Sequence, residues 1–320
     1  MPRRPRRPTT AVSPLPQRLG IDALHLTLPP VGDDSPPTVR EHLIARLAAA
    51  GPGTVDRMLD EGAFVTADGT SLAADAPYAP GLHLWFHRVL APEPPVPFPI
   101  EVLHRDARIL IADKPHFLAT TPRGAHITQT ALARLRHDLD LPTLSPAHRL
   151  DRLTAGVLLL VIDPTARGAY QNLFRDRHVT KRYEALAAHR PALPLPRTVR
   201  SRIEKTPGIV AAREVPGEPN SESRIELLDH RGDMARYRLT PHTGRTHQLR
   251  VHMNALGLPI LGDPYFPTLT DPAPHDFTRP LQLLARTLEF TDPITGTHHR
   301  FESRRTLQAW TDPEGWATGT

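Results

Sequence analysis

Three short runs hold the residues whose types and spacing could do chemistry. The first, His148-Arg-Leu-Asp-Arg-Leu-Thr-Ala-Gly156, sets one carboxylate between two arginines directly before an apolar stretch, Val157-Leu-Leu-Leu-Val-Ile162. Asp151 should therefore lie on a loop at the edge of a core strand, held ionised at neutral pH by Arg149 and Arg152. Such a carboxylate can be a nucleophile, a general base or a metal ligand, or simply a loop aspartate paired with its neighbour. The second run, Thr243-Gly-Arg-Thr-His-Gln-Leu-Arg-Val-His-Met253, reads as a glycine turn feeding a helix over Thr246–Ala255 that stops at Gly257. Free N–H groups and the dipole at a helix start attract an anion, and Arg245 and His247 stand beside them. His247, Arg250 and Asn254 share one helical face, suited to a phosphate or a carboxylate, while Leu249 and Met253 share another. His247 and His252 are poorly spaced for joint metal binding on a helix and have no acidic residue between them. In the third run, Lys181-Arg-Tyr-Glu-Ala185, Tyr183 could stack on a base while Lys181 meets a phosphate backbone, or it could be a core tyrosine on a strand.

These runs must be positioned by regular elements. Ile109-Leu-Ile-Ala112 reads as a buried strand, Thr128–His137 as an amphipathic helix and 157–162 as a core strand. Asp163-Pro164 should cap and start a helix through Phe174. Tyr183, Ala185 and Ala187, and again Ala235, Tyr237 and Leu239, alternate as strands do. Strands outnumber helices in irregular order, so the fold class is α+β with a mixed sheet, not a doubly wound one. The main block spans 100–310, with a tail at 311–320. Upstream, Ala91-Pro-Glu-Pro-Pro-Val-Pro-Phe-Pro99 is a stiff linker, and 39–90 a small α+β domain. In that domain Leu43, Ile44, Leu47 and Ala48, then Val55, Met58 and Leu59, fall at helical spacing. Ala63–Thr70 reads as a strand entering a turn at Asp68-Gly69. Residues 1–38 read as a flexible basic tail rich in Pro and Arg.

Composition narrows the chemistry. The chain has 320 residues and a formal net charge of +5, a balance suited to a polyanion such as nucleic acid. Lysine occurs only at Lys114, Lys181 and Lys205. Arginine therefore carries the positive charge, which favours bidentate phosphate contacts, although a GC-rich genome gives the same bias. The absence of cysteine removes disulfides, thiolate metal sites and Cys nucleophiles. No apolar run is long enough to span a membrane, and the basic start is not a secretory signal, so the expected location is the cytoplasm.

The motif HRLDRLTAG resembles the signature of the RluA-type pseudouridine synthases. Asp113-Lys-Pro, Leu173-Phe-Arg-Asp-Arg177 with Lys181-Arg-Tyr-Glu-Ala185, and TGRTHQLRVHM followed by Gly257-Leu-Pro-Ile-Leu-Gly-Asp-Pro-Tyr265 match the same family in order. The resemblance covers roughly residues 100–305 and implies the pseudouridine synthase fold, a mixed, largely antiparallel sheet flanked by helices. It implies that Asp151 is the catalytic carboxylate, Arg250 its partner, and Tyr183 the tyrosine packed on the target base. Arg149 would fill the gap left by a flipped nucleotide, Leu249 would line the pocket, and His148, Arg245, His247 and Lys181 would meet the RNA. The reaction isomerises uridine and requires no cofactor and no metal; the partner is RNA, and family members act mostly as monomers. The 39–90 segment resembles a small RNA-binding domain found in a ribosomal protein and several RNA-modifying enzymes, which leans towards ribosomal RNA over transfer RNA. Three positions depart from the family pattern: Ala155 where Ser is common, Leu284 where His is common, and Phe117 where Gly is usual. Leu284 and Phe117 leave room for a non-catalytic RNA-binding or ribosome-assembly factor that retains the fold.

Overall fold

The computed structural model describes residues 12–32, 38–270, 273 and 275–319. The chain divides into two units, Met1–Pro92 and Glu93–Thr320. In the first, strands β1 (Leu24–Thr27) and β2 (His83–Phe86) pair antiparallel and pack with helices α1 (Val39–Arg46) and α2 (Thr54–Asp60). A reciprocal cap starts α1: Thr38 Oγ1 accepts the Glu41 N–H at 3.2 Å, and the Glu41 carboxylate accepts the Thr38 N–H at 3.3 Å. Leu28, Leu43, Phe64 and Leu84 close the core of this unit. The expected tail over 1–38 lies partly outside the described residues, and its later part is not a tail. Leu24–Thr27 is a strand because Leu24 and Leu26 pack on the small core. Residues 63–70 do not form a full strand; Val65 bridges Trp85 and Ser71, and the chain then turns.

The larger unit contains β3 (Glu101–Arg105), β4 (Ile109–Lys114), α3 (Ala131–Asp138), β5 (Ser145–Pro146), β6 (Ala155–Val161), α4 (Arg167–Arg175) and β7 (Val179–Ala188). It continues through β8 (Arg197–Glu204), β9 (Arg213–Val215), β10 (Ser221–Arg231), β11 (Met234–Pro241) and α5 (Gln248–Ala255). It ends with β12 (Leu283–Thr291), β13 (His298–Glu302), α6 (Gln308–Thr311) and α7 (Pro313–Thr318). Eleven strands form one sheet in the order β3-β4-β6-β12-β7-β11-β10-β8-β9, with β13 on β12 and β5 on β6. Among the described residues only β6 and β12 pair parallel, so the sheet is mixed and largely antiparallel, as expected.

Both faces of its centre are covered, which is why β4 and β6 read as unbroken apolar runs. Ile109, Ile111, Val157, Leu159 and Val161 pack under α4 through Tyr170 and Leu173. Leu110, Leu158 and Leu160 face the opposite way, against Leu132 and Leu135 of α3 and Leu249 and Met253 of α5. Helix α3 starts three residues later than its apolar spacing suggests. The N–H groups of Ile127, Thr128 and Gln129 are taken by the Glu93 carboxylate, and Thr130 supplies the cap. The second half of the expected linker therefore belongs to the larger unit, with Val96 buried there. Residues 311–320 are likewise not a free tail: α7 packs back, and Trp316 Nε1 donates to the Pro280 carbonyl at 3.1 Å. No helix among the described residues is long and apolar enough to cross a membrane.

Candidate active site

The loop carrying Asp151 is tied down residue by residue. Strand β5 hands it to the sheet edge, where Ala147 N–H donates to the Leu159 carbonyl at 3.0 Å. The Leu159 N–H then donates to His148 Nε2 at 3.1 Å, so a side chain extends the ladder by one rung. Thr120 Oγ1 both donates to the Leu150 carbonyl and accepts the Leu150 N–H, at 2.8 and 3.1 Å. His116 Nδ1 donates to the Leu153 carbonyl at 2.7 Å. The ammonium of Lys114, fully buried, reaches the carbonyls of Leu118 at 2.7 Å and Arg152 at 3.4 Å. Leu150 and Leu153 anchor the loop in the core, which leaves Arg149 and Asp151 to the cleft.

His148, which lines the cleft, is also engaged within the fold. Its ring stacks on Phe174 at 4.3 Å, and burial, then the Lys181 charge, lower its pKa to about 3, which keeps it the neutral acceptor that Leu159 needs. The expected pairing of Asp151 with a flanking arginine is also absent. Among the described residues no hydrogen bond or ion pair engages the Asp151 carboxylate; Arg149 is exposed, and Arg152 lies by the Tyr265 phenol. Its charge is nevertheless felt around the site, by Lys114, Tyr183 and His247.

Arg250 does not pair with Asp151 either. Its guanidinium lies along Asp263, Nε–Oδ2 at 2.7 Å and Nη2–Oδ1 at 2.5 Å, with both side chains almost wholly buried. The Asp263 carboxylate also accepts the Tyr265 N–H at 2.8 Å, and the Tyr265 ring lies 4.5 Å from Arg250 Cζ. Spacing places Arg250 on a polar face but does not reveal its partner, because Asp263 arrives from a loop beyond Gly257. Helix α5 begins at Gln248, not Thr246, because His247 takes a left-handed conformation with φ of 57°. The expected anion cradle at this helix start is occupied from within. Gln248 Oε1 accepts the Arg245 N–H at 3.0 Å and the Thr243 hydroxyl at 2.6 Å. Arg245 Nε donates to the Asn220 carbonyl at 3.1 Å, and His247 Nδ1 accepts the Ala212 N–H at 3.3 Å.

Tyr183 stands in the middle of the sheet, opposite Leu239 of β11 and Ala285 of β12. Burial, then the nearby Asp151 charge, raise its pKa, so it stays a neutral phenol. Lys181, one side-chain alternation away on the same strand, has its ammonium pKa lowered by burial and by Arg177. Asp151, Tyr183, Lys181, Leu249 and Arg250 line one cleft of about 1540 Å³, together with Arg149, Arg245, His247 and His148. Its rim adds Arg123, Arg175, Arg177 and Arg200. All nine residues marked by sequence therefore line one cleft, with Arg250 held by Asp263 and His148 by the Leu159 N–H. Lys114 and Asp263 support the site as well, beyond those nine. A lone lysine after a buried strand and an aspartate in a loop carry no periodic signal.

Residues 108–255 match the family described as RNA pseudouridylate synthase. The chain is 32% identical over 207 residues to the dual-specificity RNA pseudouridine synthase RluA of Yersinia pestis, covering 63% of this chain and 97% of that protein. It is 32% identical to the same enzyme of Escherichia coli K12, covering 63% of this chain and 91% of that one. The chain is a member of the RluA-type RNA pseudouridine synthases. The solved structure of human RNA pseudouridylate synthase domain containing 1 aligns with a TM-score of 0.53 at 25% identity, over 67% of this chain and 87% of that one. The protein is thus an isomerase of the pseudouridine synthase fold that acts on RNA.

Two of the departures from the RluA-type pattern lie side by side. Ala155 and Leu284 are register partners in the parallel pair of β6 and β12, both with no exposed surface, in one apolar cluster with Leu186, Leu307 and Trp310. With both positions apolar in this chain, neither leaves an unsatisfied buried polar group. Phe117 has φ of 64°, the left-handed conformation in which glycine is at home, yet its ring is buried against Phe98 and Phe277. Beside them Gly156 has φ of 116°, and a Cβ there would lie 2.2 Å from the Ala285 carbonyl oxygen, so only glycine lets β12 pass this close to the base of the Asp151 loop.

Proposed function

We propose that this synthase flips a uridine out of structured RNA into the cleft and isomerises it with Asp151, without a cofactor. The observation that carries this reading is an unpaired carboxylate on a rigidly held loop, inside a basic cleft large enough for a nucleotide. The reaction breaks the bond from C1′ of the ribose to N1 of the base, rotates the base, and joins C1′ to C5; the hydrogen on C5 leaves as a proton. Extruding the base costs a few kcal/mol of stacking. Arg149, exposed and without an ion-pair partner among the described residues, is placed to fill the vacated stack. Asp151 attacks the sugar or base or takes a proton from the ribose, Tyr183 packs on the base as a neutral phenol, and Leu249 walls the pocket. Lys181, Arg245 and His247 meet the RNA.

Ribosomal RNA is the proposed substrate class, on the ground that the chain carries a separately folded unit at its N-terminal side. Tritium release from RNA labelled at C5 of uridine tests the reaction. Wild type releases tritium, and Asp151→Ala releases none while binding RNA within about threefold of wild type, less than the tenfold that 1.4 kcal/mol represents. Substantial turnover by Asp151→Ala would remove Asp151 from its role. Running the assay on ribosomal and transfer RNA separately tests the substrate, and release from transfer RNA alone would overturn that part.

A further inference from the structure

A second cavity, of about 270 Å³, adjoins the loop that carries Asp151. Arg152 and Leu153, the two residues after the carboxylate, line it together with Phe117, Leu281 and Trp316. Asp151 and Arg152 are consecutive, so the two cavities lie one residue apart along the loop, within reach of adjacent nucleotides of one strand. We propose that the second cavity is a subsite for one nucleotide beside the target uridine, with its phosphate held by Arg152. The inference rests on the reading above in which RNA lies over the Asp151 cleft.

Charge around Arg152 favours this. Its guanidinium is half-buried, and among the described residues no carboxylate engages it. Burial lowers its pKa; the Tyr265 phenol beside it favours the charge, and Arg250 opposes it. Lys114 of β4 and His126 crowd the same region, each with its pKa lowered by burial first and then by charges that include Arg152. The carboxylates at hand are already committed. Asp263 accepts from Arg250 and from the Tyr265 N–H. Asp276 accepts the Thr278 N–H and hydroxyl at 3.0 and 2.6 Å, and Asp113 is taken by Ser303, Arg304 and Arg305. Holding a guanidinium away from water without a counter-charge costs stability. A phosphate offsets that cost on arrival, because a guanidinium presents two parallel N–H groups to its oxygens. The rest of the wall suits the rest of a nucleotide. Phe117, Leu153, Leu281 and Trp316 offer an apolar side for a base, and Arg279 stands exposed at the opening. Phe117 is one of the three departures from the family pattern, so this wall is particular to the chain.

Arg152→Met removes the charge and keeps the length of the side chain. RNA binding measured across a salt series should weaken by about tenfold, with the slope of log affinity against log salt reduced by about one. Thermal unfolding of the free variant should occur at a Tm no lower than wild type, because an uncompensated cation has gone. On C5-tritiated RNA, KM should rise while kcat stays within about threefold, since Arg152 does not touch the reacting atoms. A variant with wild-type affinity and slope overturns the inference, and so does one that loses RNA affinity only together with a lowered Tm, the mark of a structural arginine. A second variant reads the cavity without touching that charge. Thr270→Trp, at an exposed lining position, should obstruct the subsite and weaken RNA binding by a similar factor. Unchanged affinity in Thr270→Trp would move the phosphate elsewhere and overturn the inference, even if Arg152→Met fails to fold. Wild type that binds RNA and forms no pseudouridine would instead defeat the reaction proposed above and leave these binding tests standing.

Discussion

Phe117 shows how one side chain can hold a backbone conformation that its type disfavours. A left-handed non-glycine residue costs about 1–2 kcal/mol, and burying a phenylalanine contributes about 3–5 kcal/mol relative to its truncation. The ring contacts with Phe98 and Phe277 outweigh the strain. Phe117→Gly, which restores the residue usual at this family position, is therefore expected to destabilise the fold by about 2 kcal/mol. Urea denaturation measures it, and a variant as stable as wild type would show that the backbone strain dominates.

At the scale of elements, the parallel contact of β6 with β12 carries the Asp151 loop. Ala155 and Leu284 meet across it, and Gly156 meets Ala285. Gly156→Ala is expected to force the strands apart and to abolish activity even where the protein remains folded, because the Asp151 loop ends at that contact; turnover above a tenth of wild type would contradict this. Ala155→Ser alone buries a hydroxyl among apolar side chains and should cost about 1–3 kcal/mol. Adding Leu284→His supplies a partner, so the double variant should recover part of the loss, with a coupling of about 0.5–3 kcal/mol in a double-mutant cycle. Strict additivity of the two stability changes would show that the positions do not communicate.

For the whole molecule, buried neutral histidines tie stability to pH. His148 has its pKa lowered from 6.5 to about 3, His116 to about 4 and His252 to about 4, each chiefly by burial. The unfolded chain takes up these protons at higher pH than the folded one. Their contribution is therefore complete above pH 6.5 and is lost as pH falls from there towards 4 and 3. Thermal unfolding should show Tm falling through that window, and His252→Asn should flatten the slope; an unchanged slope would remove His252 from the account. The arginine rim sets a second global property. RNA affinity should fall linearly with log salt, and Arg123→Ala and Arg177→Ala should each reduce the slope by about one if each meets a phosphate. Equal slopes in variants and wild type would move the RNA path elsewhere.

The strand and helix patterning of the sequence alone gave a mixed α+β fold class for local physical reasons, and the resemblance of its motifs to the RluA-type synthases supplied the reaction and the candidate residues. Unbroken apolar runs in β4 and β6 announce a sheet covered on both faces, and the HRLD loop abuts such a run. Interactions between residues far apart in sequence were decided only by tertiary structure. Nothing local says that Leu24–Thr27 has a partner nearly sixty residues away in β2, that Glu93 caps the approach to α3, or that α7 returns to Pro280. The same limit governs the site. Spacing puts Arg250 on a helix and Asp151 on a loop, but the partner of that guanidinium is an aspartate carried in by a separate loop. A buried guanidinium pairs where bidentate geometry and exclusion of water are best, and here that place is Asp263.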